Sequence, residues 1–455
     1  MSRLDLVLHG GTVITPTGPQ ALSIGVAEGR IVALAPEISD SAKRHVNVAG
    51  QHILPGFIDS HVHFNEPGRE DWEGLESGPQ ALAAGGGTTF FDMPLNAAPP
   101  TLDRLSFQAK YERATAKSCL DFALWGGLVP DNLPHLEELF ECGIIGYKAF
   151  LSDSGTSDFP RVEPRHLKSG MKKVAQFGLP VAVHAEDNAL VTRLAGLART
   201  ACKMGVSDYL ASRPIEAELE AIRVAMDIAG ETGAKLHIVH VSCPEGLDLV
   251  QEGVKQGVNV TAETCPHYLL LNDQDAKEIG APAKCAPPLR DKRRMEKMWD
   301  RLAQGLITTL GSDHSPSPPS MKVSPDFFAV WGGIAGCQHA FLLTLAEIVH
   351  GRVPEIPLEK FAAFSAGQVA ERFSLPAKGK IALGYDADLA VIDFSSGEKI
   401  HGSDLKYRHK LSPYVRRTVD VLLKQTWLRG ELVYDRAQTT PSAPRRGRFL
   451  RPERH

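Results

Sequence analysis

The chain has 455 residues, and 50 Lys+Arg against 54 Asp+Glu leave a formal net charge of −4, so no global basic field favours nucleic acid or an anionic membrane. Hydrophobic residues are 43% and charged residues 23%, enough apolar side chain for a large core, which excludes disorder as the main state. No apolar run approaches the ~18 to 20 residues that span a bilayer, the opening MSRLDLVLHGG lacks a signal-peptide pattern, and the seven scattered cysteines form no Cys-x-x-Cys pair, so a cytoplasmic protein without a disulfide framework is expected.

At the front, LDLVLHGGTVITPTG, SIGVAEGRIVALAP and HVNVAGQHILPG are short alternating runs split by Gly and Pro, the pattern of antiparallel strands. Residues 1–50 therefore read as half of a small β-domain. From 51 to 375, buried-strand runs alternate with helical stretches such as PHLEELFECG and RPIEAELEAIRVAMDIAGETG, which predicts a parallel sheet covered by helices. The strand runs are ILPGFIDSHVHF, GTTFFDMPLN, LDFALWGGLV, GIIGYKAFL, LPVAVHAED, AKLHIVHVS, VNVTAETCPH and GLITTLGSDHS, and eight βα units favour a (β/α)8 TIM-like barrel over an open sheet. GKIALGYDADLAVIDF and VDVLLKQTWLRGELVYD then return to the opening grammar, so residues 376–440 are expected to complete one discontinuous β-domain with 1–50. The tail, 441–455, carries five arginines, one glutamate and three prolines, and reads as a mobile arm or as an arm that docks on a neighbouring subunit.

Most of the apolar strand runs end in polar or ionisable residues, and in a barrel that end builds the active site. The first ends in His61-Val62-His63, whose period-two spacing aims both imidazoles the same way. The fourth ends at Lys148, the fifth at His184, the sixth at His240 and the eighth at Asp313, so six candidate metal ligands share one rim. An ammonium has no lone pair for a metal, so Lys148 must be neutralised to join them, and carboxylation to a carbamate is the reasonable route. His237 lies three residues before His240 and is expected on the opposite face, as a core or helix-facing histidine. His267 is expected to support a ligand from behind, and His314 to point away. Nitrogen and oxygen donors without cysteine suit two divalent ions, zinc first, with Co, Mn, Ni or Fe as alternatives. Such a pair, about 3.5 to 4 Å apart, equips a site to hydrolyse an amide, with Asp313 moving the proton. Ala84-Gly85-Gly86-Gly87 precedes a strand instead of opening a helix, and no Gly-x-Ser-x-Gly occurs, which removes nucleotide-loop and serine-hydrolase readings.

The strings PGFIDSHVHFNEPGR, GYKAF, VHAED, HIVHVS and GSDHSP, in this order and with a flanking β-domain, resemble the cyclic amidohydrolases: dihydroorotases, hydantoinases and allantoinases. The resemblance implies a distorted barrel beside a small β-sandwich, with His61, His63 and Asp313 holding one ion, His184 and His240 the other, and carboxylated Lys148 bridging both. Dihydroorotases place an arginine where Asn65 stands, and asparagine forms no charged bidentate clamp. Hydantoinases carry a tyrosine shortly after the lysine, whereas Lys148 is followed by AFLSDSGTSD. HFNEPGR, DMPLN, KCAPPLRD, SDHSP and WGGIAG are similar to the allantoinase branch, with Ser317 in place of an expected cysteine. That likeness implies allantoin as substrate, allantoate as product, Asn65, Asn96 and Ser317 as substrate contacts, and a homo-oligomer, tetramer or dimer. A hydantoinase, dihydropyrimidinase or dihydroorotase-type hydrolase is the alternative. A non-catalytic scaffold on the same fold is disfavoured because every ligand position is filled.

Overall fold

The computed structural model describes residues 4–438 and 446–454. Strands from both ends of the chain build two sheets that share one core. The first sheet runs Arg30–Ala35, Ser23–Ala27, Leu4–His9, Ala42–Asn47; the second runs Glu431–Asp435, Leu422–Leu428, Leu389–Asp393, His52–Pro55, Thr12–Thr15, Gly18–Ala21. The join between the ends is antiparallel, with Ala390 opposite Leu54. Leu6, Leu8, Ile24, Val26, Ile53 and Trp427 fill the space between the sheets, each fully buried aliphatic side chain contributing roughly 1.5–3 kcal/mol.

His52–Pro55 belongs to this β-domain, so the crossover to the barrel comes at Gly56 and not after residue 50. The run ILPGFID reads as one strand because it is apolar throughout; in the fold it is split. A Cβ at Gly56 would lie 2.2 Å from Thr88 Cγ2, so the crossing requires glycine. A second difference concerns 400–417, inside the segment assigned to the β-domain. Tyr407 and Tyr414 are buried in the barrel's outer core, and Arg408 Nε donates to the Glu73 carbonyl at 2.6 Å. Two large buried aromatics outweigh the polar look of that segment.

The remainder is a TIM-barrel core. Parallel strands lie at Phe57–Val62, Gly87–Asp92, Asp121–Leu124, Gly126–Gly127, Tyr147–Phe150, Pro180–His184, Lys235–Ile238, Val260–Thr264 and Thr309–Leu310, and each of the eight predicted runs holds at least one. Helices cover them for local reasons. Asp103 caps Arg104–Lys117 by accepting the Ser106 N–H at 2.8 Å. Pro164–Val174 begins with proline and buries Leu167, Gly170, Met171 and Val174, one helical stripe. Ile215–Thr232 stops at Gly233, whose φ of 68° suits a left-handed cap. Ile58, Phe91, Ala123 and Ala182, from four of the strands, and Val239, just past the end of Lys235–Ile238, pack together with Val369 and Phe373. Among the described residues, no helix is long and apolar enough to cross a membrane.

The tail also departs from expectation. Residues 441–445 and His455 lie outside the described residues, but 446–454 run along the same chain's barrel and not as a free arm. Phe449 pairs with Phe122 as an added strand position, and the Phe122 N–H donates to the Arg448 carbonyl at 2.9 Å. The Phe449 ring packs against Phe107, Tyr111 and Phe122. One aromatic anchor and strand hydrogen bonds suffice to dock an Arg-rich segment whose composition alone reads as solvated.

Candidate metal centre

The ionisable side chains cluster where the strands end. His61 is the last residue but one of its strand and His63 lies just beyond it, yet strand alternation is not what aligns them, because the pairing register shifts between Asp59 and Val62. Their orientation comes from neighbours. The His63 N–H donates to the His314 carbonyl at 2.7 Å, and Asp59 accepts the Ser312 N–H at 2.9 Å, tying the first strand to the segment after the eighth. His61 Nε2 and His63 Nε2 then lie 3.3 and 3.4 Å from one oxygen of Asp313. These three residues offer ligand atoms that all fall within 4.8 Å of one another.

His184 ends the fifth strand, and its Nδ1 faces His240 Nε2 at 3.0 Å. His240 and Asp313 sit past their strand ends with φ of 42° and 45°, left-handed backbone that costs about 1–3 kcal/mol and persists only where the surroundings enforce it. His237, expected as a core or helix-facing histidine, is buried: its Nδ1 lies 2.8 Å from the Thr261 hydroxyl, its ring packs edge-on against Phe373, and its Nε2 is 3.7 Å from Glu263, the carboxylate that also binds His61. Lys148 is wholly buried and its Nζ has no hydrogen-bond partner among the described residues, and it lies over the Phe150 ring, 5.0 Å from the centroid.

The electrostatics follow from this burial. Burial pushes the Lys148 amine down to about 8, partly opposed by Asp313 and Glu263. Burial also lowers His63, His184 and, most strongly, His240, favouring neutral imidazoles with lone pairs to give. Burial would raise Asp313, but His61 and His63 hold its carboxyl down to about 2. A buried amine and several buried nitrogens without partners are costly unless another group completes them. The donor set, neutral imidazoles with a carboxylate beside a buried lysine, fits divalent cations.

Two glutamates missed in the sequence complete the arrangement. His61 Nδ1–H donates to Glu263 Oε1 at 2.7 Å, and Glu263 also accepts the Ser60 hydroxyl at 2.6 Å. His184 Nε2–H donates to Glu186 Oε2 at 2.7 Å, and Arg213 pairs with Glu186 in turn. Each bond places the ring proton on the far nitrogen and leaves the near one free. Burial would raise both carboxyls, but His61 and His237 hold Glu263 far below the usual range, and Arg213 with His184 holds Glu186 at about 2. The available signals were His184-x-Glu186 on one strand face and a lone glutamate inside the apolar run of Val260–Thr264.

Above the cluster opens a cavity of about 550 Å³, within the range of small-molecule sites. Asn96, Phe150, Phe328 and Trp331 are in its wall. Lys284 Nζ donates to the carbonyls of Phe327, Phe328 and Val330 at 2.7, 3.1 and 2.5 Å, and Lys322 Nζ to those of Trp331 and Gly333 at 2.9 and 2.7 Å, holding this wall in place. Asn65 and Ser317 do not line the cavity. Asn65 turns with a φ of 64° to donate to the Pro316 carbonyl at 3.3 Å, and Ser317 faces a separate crevice beside Pro282 and Leu411. His267 is buried with both ring nitrogens unpartnered among the described residues and its ring held down to about 4 by burial, so it makes no hydrogen bond to the candidate ligands. His314 accepts the Gly336 N–H at Nδ1 and packs on Phe64 and Tyr407, away from the cluster.

The Amidohydrolase family profile matches residues 52–433. An allantoinase of Deinococcus radiodurans is 47% identical over 449 residues, 99% of each chain, and one of Rubrobacter xylanophilus 48% identical over 454 residues, 100% of this chain and 99% of that one. Among solved structures, an L-hydantoinase (dihydropyrimidinase) from Arthrobacter aurescens superimposes with a TM-score of 0.93 at 30% identity, covering 98% of this chain and 100% of its own.

Proposed function

The chain belongs to the amidohydrolase family, and on that premise we propose that it hydrolyses a ring amide of allantoin to give allantoate. It is a metal-dependent cyclic amidohydrolase. The observation that carries this reading is the convergence of His61, His63, His184, His240 and Asp313 on a cavity beside the buried, unpartnered amine of Lys148. Near-half identity along the whole length to proteins named allantoinase supports the choice of ring.

His61, His63 and Asp313 would hold one divalent ion, His184 and His240 a second, and Lys148 as a carbamate would reach both. Zinc suits the donors best, with Co, Mn, Ni or Fe as alternatives. The lowered basicity of Lys148 supports carboxylation, since the neutral amine is the form that adds carbon dioxide. When bound, the ions would polarise the ring carbonyl and make water at the site more acidic. Asp313, ionised because His61 and His63 hold its carboxyl low, takes a proton from the attacking water and returns it to the ring nitrogen as the C–N bond breaks. Glu263 and Glu186 keep His61 and His184 in the tautomers that present Nε2 and Nδ1 to the site. Phe150, Phe328 and Trp331 give the neutral ring apolar walls.

The parallel sheets read as one closed (β/α)8 barrel, supported by the bridge between Val62 and His314. The helix Asn188–Thr200, which buries only Val191 and leaves Leu197 open, supports a homotetramer or dimer. Seven unpaired cysteines support a reducing, cytoplasmic setting.

The test is hydrolysis of allantoin, hydantoin and dihydroorotate side by side, before and after chelation and after restoration with Zn, Co or Mn. Metal-restored turnover of allantoin above the others is expected. Preference for hydantoin, the second reading favoured by the likeness to a solved hydantoinase, would overturn the substrate assignment and leave the reaction class standing.

A further inference from the structure

The histidines of the cluster are not all supported alike. His61 and His184 each give the proton of the nitrogen facing away from the site to a glutamate. His63 has an amide instead: its Nδ1 lies 3.3 Å from Asn96 Nδ2, and this is its Nδ1 contact among the described residues. Asn96 is 4% exposed, stands in the cavity wall, and its Oδ1 is buried without a partner among the described residues. The oxygen and nitrogen of an asparagine amide are nearly alike in shape, and which faces a neighbour is decided by hydrogen bonding. His63 Nε2 points at Asp313, and it can offer a lone pair there only if the ring proton sits on Nδ1. That proton needs an acceptor. A half-turn of the Asn96 amide supplies one, bringing Oδ1 opposite Nδ1–H and turning Nδ2 into the place that Oδ1 held.

We infer that Asn96 is a positioning residue for the metal site: its Oδ1 accepts the Nδ1 proton of His63 and thereby fixes the tautomer that leaves Nε2 free for the ion. The inference rests on reading this cluster as a metal centre. A neutral amide polarises the imidazole less than a carboxylate does, so His63 is more softly supported than His61 or His184, and the ion that it shares with His61 and Asp313 depends on Asn96 being present.

The competing explanation is conformational. Asn96 has a φ of 64°, a left-handed backbone that asparagine tolerates, so the residue could be there for the turn alone. Two substitutions separate the cases. Asn96→Gly keeps the turn and deletes the amide; Asn96→Asp tolerates the same φ and keeps an acceptor. Zinc retained per chain, measured by elemental analysis after dialysis against graded chelator, is the primary readout, with thermal melting to certify folding and kcat and KM for allantoin beside it. Asn96→Gly is expected to weaken retention of one zinc by about 10–100-fold, with kcat restored by excess zinc and KM little changed, while Asn96→Asp retains zinc at least as well as the parent. Full zinc retention in Asn96→Gly overturns the inference, whether KM stays or rises; a rise would make Asn96 a substrate contact. Equal zinc loss in both variants with lowered melting temperatures also overturns it, as a structural role. A parent chain that takes up no zinc overturns the metal reading itself, and this inference with it.

Discussion

At the N-terminal end of the barrel strands, Asp121 meets Asp386 and Asp388, three carboxylates with oxygens within 4.8 Å of one another; at the C-terminal end, His61, His63 and Asp313 gather within the same span. The first group supplies its own cations. Lys378 Nζ lies 2.6, 2.9 and 2.7 Å from Asp121, Asp386 and Asp388, Arg429 pairs with Asp121, and the Arg448 and Arg429 backbone N–H groups donate to Asp121 and Asp388 at 2.8 Å. The second group leaves the Lys148 amine, His240 Nδ1 and both His267 nitrogens without partners among the described residues. Crowded ligand-type atoms thus mean different things in the two places. The lower cluster is a closed ionic knot joining the third strand, the β-domain and the tail, whereas the upper one is a set of donors awaiting something that the chain does not provide.

The largest expected effect falls on the open cluster. Asp313→Ala should lower kcat on allantoin by at least about 10³-fold, within the range for losing a positioned proton carrier, while the folded chain melts as the parent does. Near-normal turnover would remove Asp313 from the chemistry. Lys378→Met should do the reverse: stability to denaturant falls by about 3–5 kcal/mol because three buried carboxylates lose their main counter-charge, but folded protein keeps its zinc content and kcat. The sign with pH follows from Lys378 being raised: burial would lower it, and Asp388, Asp121 and Asp386 more than offset that. Its contribution is complete below the unfolded lysine value of about 10.4 and is lost as pH rises through the higher native value. The parent should lose stability on that alkaline limb and Lys378→Met should lose less of it. If Lys378→Met abolished zinc binding instead, the two clusters would not be separable.

The comparison also explains what could be read from the sequence. Parallel strands buried on both faces are apolar runs that end abruptly in chemistry, so the strand segments and the rim histidines stand out in one dimension. The lower knot does not, because Lys378 and Asp121 are 257 residues apart and each looks like an ordinary surface charge. Glu263 was hidden for another reason: it sits in the run VNVTAETCPH, where attention goes to His267, yet the strand aims Glu263 at His61 and leaves His267 without a hydrogen bond. Asn65 and Ser317 failed as cavity residues because neighbourhood in sequence to His63 and Asp313 says nothing about direction once the backbone turns left-handed, as at Asn65 and at Asp313.

Glu263→Gln sharpens the contrast within the open cluster. The amide can still approach His61 Nδ1, but it replaces a carboxylate held strongly ionised, so zinc affinity should fall about 10–100-fold, with a smaller loss of melting temperature than Lys378→Met shows. Competition with a fluorescent chelator reads this directly. Unchanged affinity would mean that His61 needs no charged support and that the neutral partner of His63 is not a weakness.

The smallest effect concerns a buried histidine in neither cluster. His339 is 5% exposed, its Nδ1 has no partner among the described residues, and burial pushes its ring down to about 4, with Asp404 opposing. It is therefore neutral in the fold and protonates more readily once unfolded. Between its unfolded value near 6.5 and about 4, the unfolded chain binds the extra proton, so this group makes stability fall as pH falls, by about 1 kcal/mol from pH 6.5 to 5.5 and further down to about pH 4. His339→Phe should remove that part of the acid slope in denaturant melts while the parent keeps it. In the lower cluster burial raises Asp388, which favours the fold as pH falls and so opposes this slope; if the slope survives His339→Phe unchanged, it originates instead in the histidines of the upper cluster, which burial lowers in the same way.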